Sequence, residues 1–319
     1  MSSSFSRTIL LTGATGFIGR HVLERLRRIP DTRLVLLSRN PPSVLREGET
    51  WITVALDQLT SKIWQREGVG RFDIVFHLGA FTPKRSGNEE SVAEIYESNL
   101  LGTRALLESM RDAPKKIIFA STLDVYAPQQ NGYVLTERSP LLPATIYGAS
   151  KLFCEHLVRA FAQRRGFGCA ILRYGHIYGP GEEAYFKLIP ATIQTLLRNE
   201  GPIVYGDGSS LRDFLYVEDA VEATLRAGTS EVDTSEAVNI VSGNSTSIRE
   251  VVETLSMLCE YRGRITYLSD KPAGRSFKFA SDRMASVLGR WELVPLREGL
   301  RREISYFKGI MERRVKEER

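Results

Sequence analysis

Through the first half of the chain, short runs rich in β-branched and aliphatic residues alternate with longer stretches of amphipathic, helix-like pattern. The runs at 8–12, 33–38, 51–55, 74–78, 116–121 and 168–173 read as strands, and the stretches at 17–28, 91–111 and 147–165 as helices. Such alternation predicts a parallel, doubly wound α/β sheet with right-handed crossovers. After Tyr174 the pattern gives way to turn-rich pieces such as Tyr205-Gly206-Asp207-Gly208, a helix around 188–198, and a further strand at 237–241 able to rejoin the main sheet. The expected organisation is a larger unit over 1–174, with 212–242 returning to it, and a smaller discontinuous unit from 175–211 and 243–319.

Composition narrows the class without naming a chemistry. At 319 residues, 42% hydrophobic and 25% charged, the chain is ordinary for a globular protein of two domains or one elaborated domain. Its apolar runs are too short to span a bilayer, and the first seven residues, Met1 to Arg7, hold no apolar signal core. Cys154, Cys169 and Cys259 are widely spaced and match no metal-ligand pattern. A reduced, cytoplasmic enzyme with no metal centre is expected, with neither membrane nor nucleic acid as partner. The net charge of +5 is modest and lies partly in the mixed-charge tail Glu312-Arg313-Arg314-Val315-Lys316-Glu317-Glu318-Arg319, so an anionic small ligand accounts for it.

Thr12-Gly13-Ala14-Thr15-Gly16-Phe17-Ile18-Gly19 falls between the first strand and the first helix. Glycines there permit a tight turn, close backbone approach to a pyrophosphate and close helix–strand packing, while the helix N-terminus offers N–H groups to phosphate. The larger unit therefore reads as a Rossmann-type dinucleotide-binding domain, with Gly13, Thr15, Gly16, Phe17, Ile18 and Gly19 at the pyrophosphate. The end of the second strand selects the nucleotide. A carboxylate there would hold the ribose hydroxyls of NAD(H), but Ser38, Arg39 and Asn40 supply none. Arg39 can stack on adenine and pair with a 2′-phosphate, which favours NADP(H). Asp57 and Leu59, after the third strand, fall near the adenine.

Tyr147-Gly148-Ala149-Ser150-Lys151 places a phenol and an ammonium one helical turn apart on one face. A phenol titrates near 10 unperturbed, and a fixed cation beside it favours the phenolate, moving it toward the range where acid–base catalysis works best.

Together these segments resemble the extended short-chain dehydrogenase/reductase family, in its nucleotide-sugar epimerase, dehydratase and reductase branch. The resemblance runs from Thr8 to about Asp282. It takes in the glycine turn, His77-Leu78-Gly79-Ala80, Asn99-Leu100-Leu101-Gly102-Thr103, Ser121-Thr122 and the Tyr147/Lys151 pair. It continues through Arg173-Tyr174-Gly175-His176-Ile177-Tyr178-Gly179-Pro180-Gly181 and Arg212-Asp213-Phe214-Leu215-Tyr216-Val217-Glu218-Asp219.

The resemblance implies that Tyr147 exchanges a proton with a sugar hydroxyl or ketone while a nicotinamide exchanges a hydride with the same carbon. It assigns Lys151 to the nicotinamide ribose and Thr122 to the reacting oxygen. It adds Leu78, Gly79, Ala80, Asn99 and Tyr174 to the cofactor contacts. It also implies a homodimer built on the helices at 91–111 and 147–165.

The residues after Thr122 separate the branches. The 4,6-dehydratases of this family resemble Ser-Thr-Asp-Glu-Val-Tyr, one carboxyl protonating the leaving 6-hydroxyl and the other removing the C5 proton. Here the segment is Ser121-Thr122-Leu123-Asp124-Val125-Tyr126. Leu123 delivers no proton, and Asp124 has two readings, a catalytic carboxyl or a turn residue touching a sugar hydroxyl. With Arg39 pointing to NADP(H), reduction of a 4-keto-6-deoxy nucleotide sugar is the first expectation. A 4-epimerase is second and a 4,6-dehydratase third, and a cofactor-binding regulator without chemistry comes last because the Thr/Tyr/Lys set is complete. For the nucleotide-diphosphate sugar, Arg212 and Arg275 are expected at the diphosphate, Tyr205 at the nucleobase, and Thr82, Lys187 and His176 at the remaining substrate contacts. His176 stands where relatives carry an asparagine.

Overall fold

A computed structural model of the chain describes residues 5–40, 46–84, 91–128, 133–230, 234–268 and 274–317. Lys271-Pro272-Ala273, which lead to Arg275, and the last two residues of the mixed-charge tail lie outside them. The chain runs β1 (Arg7–Thr12), α1 (Phe17–Leu26), β2 (Thr32–Leu37), β3 (Glu49–Ile52), α2 (Ser61–Arg66), β4 (Ile74–His77), α3 (Val92–Ile95), α4 (Gly102–Ser109), β5 (Lys116–Thr122), β6 (Val134–Leu135), α5 (Ile146–Arg165) and β7 (Gly168–Tyr174). It continues through β8 (His176–Tyr178), α6 (Leu188–Leu197), β9 (Ile203–Tyr205), β10 (Leu211–Tyr216), α7 (Val217–Thr229), β11 (Thr234–Ile240), β12 (Ser245–Ser247), α8 (Ile248–Leu258), β13 (Thr266–Leu268), β14 (Lys278–Phe279), α9 (Asp282–Leu288) and α10 (Leu296–Glu317).

Seven strands form one sheet in the order β11-β7-β5-β4-β1-β2-β3, every neighbouring pair parallel. Period-two alternation sorts its residues between two cores. Ile9, Leu11, Leu34, Leu36, Ile118, Ala170 and Leu172 face α1 and α7, through Val22, Leu26, Ala220 and Ala223. Leu10, Val35, Leu37, Ile117, Phe119, Cys169 and Ile171 face the other way, onto Leu106, Leu107, Cys154 and Val158 of α4 and α5. Each such Val, Leu, Ile or Phe side chain stabilises the fold by roughly 1.5–3 kcal/mol, and the doubly covered sheet is the expected α/β architecture. Among the described residues no helix is long and apolar enough to cross a membrane.

Two elements differ from the sequence reading. The helix expected at 91–111 is α3, a π-helical turn at Tyr96–Leu101, and α4. Within 212–242, β11 joins the main sheet, whereas β10 pairs with β8 and β12 in a separate three-stranded sheet. The main sheet ends with Tyr174 of β7, and after Gly175 β8 pairs with β10 instead, in the register His176 to Phe214.

Candidate active site

The carboxyl ends of β1, β2, β4, β5 and β7 open into a cleft of about 890 Å³, where the strand order reverses between β1 and β4. On its floor Gly13 has a φ of 72°, and a Cβ there would lie 2.7 Å from the Gly79 nitrogen. A Cβ on Gly19 would lie 1.9 Å from the Gly13 carbonyl oxygen, so α1 starts directly on the turn. α1 has no side-chain cap and no acid in its first turn, which leaves its N–H groups to an anion. The turn therefore fits a dinucleotide pyrophosphate.

A buried strut fixes that floor. Gly79 N donates to Thr12 Oγ1 at 2.8 Å, Thr12 Oγ1 bonds His77 Nδ1 at 2.8 Å, and His77 Nε2 bonds Thr103 Oγ1 at 2.9 Å. Burial, then the Lys151 charge, pulls His77 down to about 3, so the ring stays neutral. At the far end, Ser38 Oγ bonds Thr15 Oγ1 at 2.9 Å and accepts from Asn40 N at 3.1 Å. Arg39 is exposed on the cleft rim, and Asp57 lines the wall beside it. Leu59 is instead turned into the core under the sheet.

Asn99 is not on the cleft wall. The π turn rotates its amide inward, where it accepts from Phe81 N at 2.7 Å and donates to Phe81 O and Ser150 Oγ, each at 3.1 Å. It ties the loop after β4 to α5, and its contact with the cleft is indirect.

α5 starts at Thr145, whose Oγ1 accepts from Gly148 N at 3.0 Å. A Cβ on Gly148 would stand 2.4 Å from the Asp124 carbonyl oxygen, so glycine lets α5 press against the segment after β5. That contact gathers Thr122, Asp124, Tyr147 and Lys151 on one wall, with Gly13, Thr15, Gly16, Phe17, Ile18 and Gly19 opposite and Leu78, Gly79 and Ala80 between. Lys151 is buried; its Nζ donates to Ala120 O at 2.8 Å and lies 6.0 Å from the Tyr147 ring centroid.

The ammonium is thus tied to β5 and stands one helical turn from the phenol. Burial pushes Tyr147 up, a hydrogen bond with Thr82 works against that, and the Asp124 charge adds to it. Burial also lowers Lys151, to about 8. Asp124 opens on the cleft, and burial among the surrounding protein raises its carboxyl. Leu123 packs with Val125, Val241 and Phe279 and closes on Gly175.

Sequence reasoning passed over Glu155. Burial alone would raise its carboxyl, but Arg173 binds it through Nε and Nη2, at 2.9 and 2.8 Å, and holds it low. Ser121 Oγ donates to it as well. Glu155 lies one turn beyond Lys151 and favours the Lys151 charge; the repeat of the Tyr147–Lys151 spacing was the available signal. Phe81, Lys84, Glu97 and Tyr185 also line the cleft, and no local motif marks them.

Of the substrate contacts expected, Thr82 and Lys187 line the cleft; the expected cofactor contact Tyr174 lines it too, its hydroxyl bonding Thr224 Oγ1 at 2.6 Å. His176, Tyr205, Arg212 and Arg275 are off that wall. Burial, then Arg212 and Lys187, lowers His176 to about 4, and its Nδ1 has no hydrogen-bond partner among the described residues. Arg212 donates to the Leu211 and Arg275 carbonyls and stands over the Phe277 ring at 5.0 Å. Arg275 and Tyr205 are exposed.

A dinucleotide cradle at one end, a Thr/Tyr/Lys set in the middle and cations beyond it suit hydride chemistry on an anionic substrate. The model of the NAD-dependent epimerase/dehydratase family matches residues 9–241. The chain is 32% identical over 317 residues to a UDP-N-acetyl-alpha-D-glucosaminuronate decarboxylase of Bacillus cytotoxicus, covering 94% of this chain and 98% of that one. It superposes on the UDP-glucose 4-epimerase of Thermotoga maritima in complex with UDP-glucose with a TM-score of 0.83 at 26% identity, covering 95% of this chain and 99% of the other. For MoeE5 in complex with UDP-glucose and NAD the TM-score is 0.81 at 30% identity, with the same coverage. Similarity of this extent, over a cleft so arranged, identifies the chain as an enzyme of the extended short-chain dehydrogenase/reductase type that belongs to the NAD-dependent epimerase/dehydratase family.

Proposed function

We propose that the protein is a nucleotide-sugar 4-epimerase, inverting C4 of a UDP-hexose by way of a 4-keto sugar that stays in the cleft. The observation that carries this reading is the wall holding Thr122, Tyr147 and Lys151 with an apolar residue, Leu123, turned away into packing. Hydride exchange at C4 needs one acid–base group, and Tyr147 is it. Leucine at 123 supplies no proton to a leaving 6-hydroxyl, which weighs against dehydration. The similarity to a UDP-glucose 4-epimerase supports the same choice.

When bound, the nicotinamide cofactor accepts the C4 hydride and returns it, and its oxidised ring adds the positive charge that favours the tyrosinate. Tyr147 takes the C4 hydroxyl proton and gives it back. Thr122, fixed at the end of β5, donates to the same oxygen and orients it. Lys151 holds the cofactor ribose from its seat on Ala120, and Arg39 on the rim favours the phosphorylated cofactor NADP(H) over NAD(H).

Reduction of a 4-keto-6-deoxy nucleotide sugar by NADPH, first in the sequence reading, is the second reading here, and Arg39 is the observation that favours it. Purified protein given UDP-glucose or UDP-galactose with catalytic NAD or NADP distinguishes the two. Interconversion with no net change in the reduced-nicotinamide absorbance is the result expected. Stoichiometric loss of NADPH with a 4-keto-6-deoxy sugar nucleotide, and no interconversion, would establish the reductase instead. A homodimer belongs to the proposal, because Val92, Tyr96, Ile146 and Phe153 expose apolar side chains on α3, the π turn and α5.

A further inference from the structure

Where the loop 179–187 meets α10, two carboxyl groups face each other in the protein interior. Glu182 and Glu303 are both 0% exposed. Neither Glu303 oxygen meets an N–H or hydroxyl donor among the described residues, and its neighbour is the Glu182 carboxyl. The nearby Tyr178 hydroxyl is used elsewhere, donating to Leu296 O at 3.2 Å. Burial, then the charge of Glu182, holds Glu303 well above the usual carboxylate range. Two carboxyl groups buried against each other do not readily both ionise, which favours one proton held between them.

The remaining charge is answered on the cleft side. Lys187 Nζ lies 2.9 Å from Glu182 Oε2, donates to Ile177 O at 3.0 Å, and stands over the Phe17 and Tyr185 rings at 5.2 and 5.0 Å. The side chain keeps 42% of its surface exposed and forms part of the cleft wall. Gly179 N donates to Glu182 Oε1 and Tyr306 Oη to Glu183 Oε2, fastening the loop to α10.

We propose that Glu182 and Glu303 are positioning residues: a carboxyl pair sharing one proton, set behind the cleft to aim the Lys187 ammonium at the diphosphate of a nucleotide ligand. Two buried acids are a costly way to fill space, since an apolar pair of similar volume is commonly at least as stable. A lysine, with its flexible four-carbon stem, binds phosphate as a point charge and gains from being held in place before the ligand arrives. The shared proton matters because a second negative charge would give the Lys187–Glu182–Glu303 group a net charge of the wrong sign for a diphosphate. The inference rests on the nucleotide-sugar reading only for the identity of the anion.

The test is UDP binding by titration calorimetry to wild type, Glu182→Gln, Lys187→Met and the double variant, with thermal melts as the control for folding. Each single change is expected to weaken UDP binding about tenfold, and the double variant to bind no more weakly than Lys187→Met alone. Multiplicative losses, or an unchanged affinity in Glu182→Gln, would overturn the proposal. Glu303→Gln keeps a donor toward Glu182 and should recover most of the affinity lost in Glu303→Ala; equal losses overturn the shared proton. If Glu303→Ala does not fold, a tenfold loss in Glu303→Gln does so by itself. Wild type that binds no UDP would overturn the substrate reading and this inference with it.

Discussion

Lys151 is held charged at neutral pH against the cost of burial, which lowers its amine from the ordinary 10.5 to about 8. Below pH 8 both folded and unfolded chains carry the proton, and the folding penalty is present in full. As pH rises from 8 to 10.5 the folded amine is already neutral while the unfolded one is not, so the penalty is relieved. Urea melts of Lys151→Met should therefore show it more stable than wild type at pH 7, by at most about 3 kcal/mol, with the gap closing toward pH 10. A gap independent of pH would remove the burial argument. Tyr147→Phe should cut turnover by about 10²–10⁴ while cofactor affinity, read by fluorescence titration, changes less than about threefold. Arg39→Ala should weaken NADP binding by about 10–100-fold, the scale of a charged hydrogen bond, and leave NAD nearly unaffected. Thr122, Tyr147 and Lys151 were legible because each lies in a local motif. Glu155 with Arg173 was not, because only the packing of α5 on β7 brings the two side chains together, and Glu182 with Glu303 was not, because the pair joins elements distant in sequence.

At the level of elements, α5 has to lie against the end of β5 to bring Thr122, Tyr147 and Lys151 onto one wall, and Gly148 permits it. Gly148→Ala puts a methyl group into the Asp124 carbonyl, at 2.4 Å, so helix and loop must part. The expected cost is about 1–3 kcal/mol in a thermal or urea melt, with a drop in turnover larger than the loss of folded protein explains. Wild-type turnover in this variant would show that the close approach is dispensable. The strands and α5 were legible from hydrophobic period alone. The π turn was not, since one extra residue per turn hardly disturbs that period; what demands it is Asn99, which satisfies the Phe81 backbone and Ser150. The pairing of β10 with β8 was equally hidden, because both strands are short and lie far apart in the chain.

Across the whole molecule, the apolar residues left exposed on α3, the π turn and α5 define one prediction. Sedimentation should show a dimer, and Phe153→Glu should shift it to monomer by burying a carboxylate without a partner. A wild-type monomer at micromolar concentration would end that proposal. The cleft itself is a whole-molecule feature. Its floor comes from β1 and β4, the wall with Tyr147 and Lys151 from β5 and α5, and its far cation, Lys187, from a loop braced by α10.

The chain by itself determined the doubly wound sheet, the glycine turn and the Thr122/Tyr147/Lys151 set, because each depends on spacing within one element or between neighbouring ones. Only the tertiary structure decided what those residues experience. Burial raises the phenol, the Ala120 carbonyl holds the ammonium, and Leu123 is taken into apolar packing. It also separated Arg212, Arg275, His176 and Tyr205 from the cleft wall and brought Glu303 against Glu182. Those outcomes depend on distances between segments far apart in the chain, and local pattern carries no measure of them.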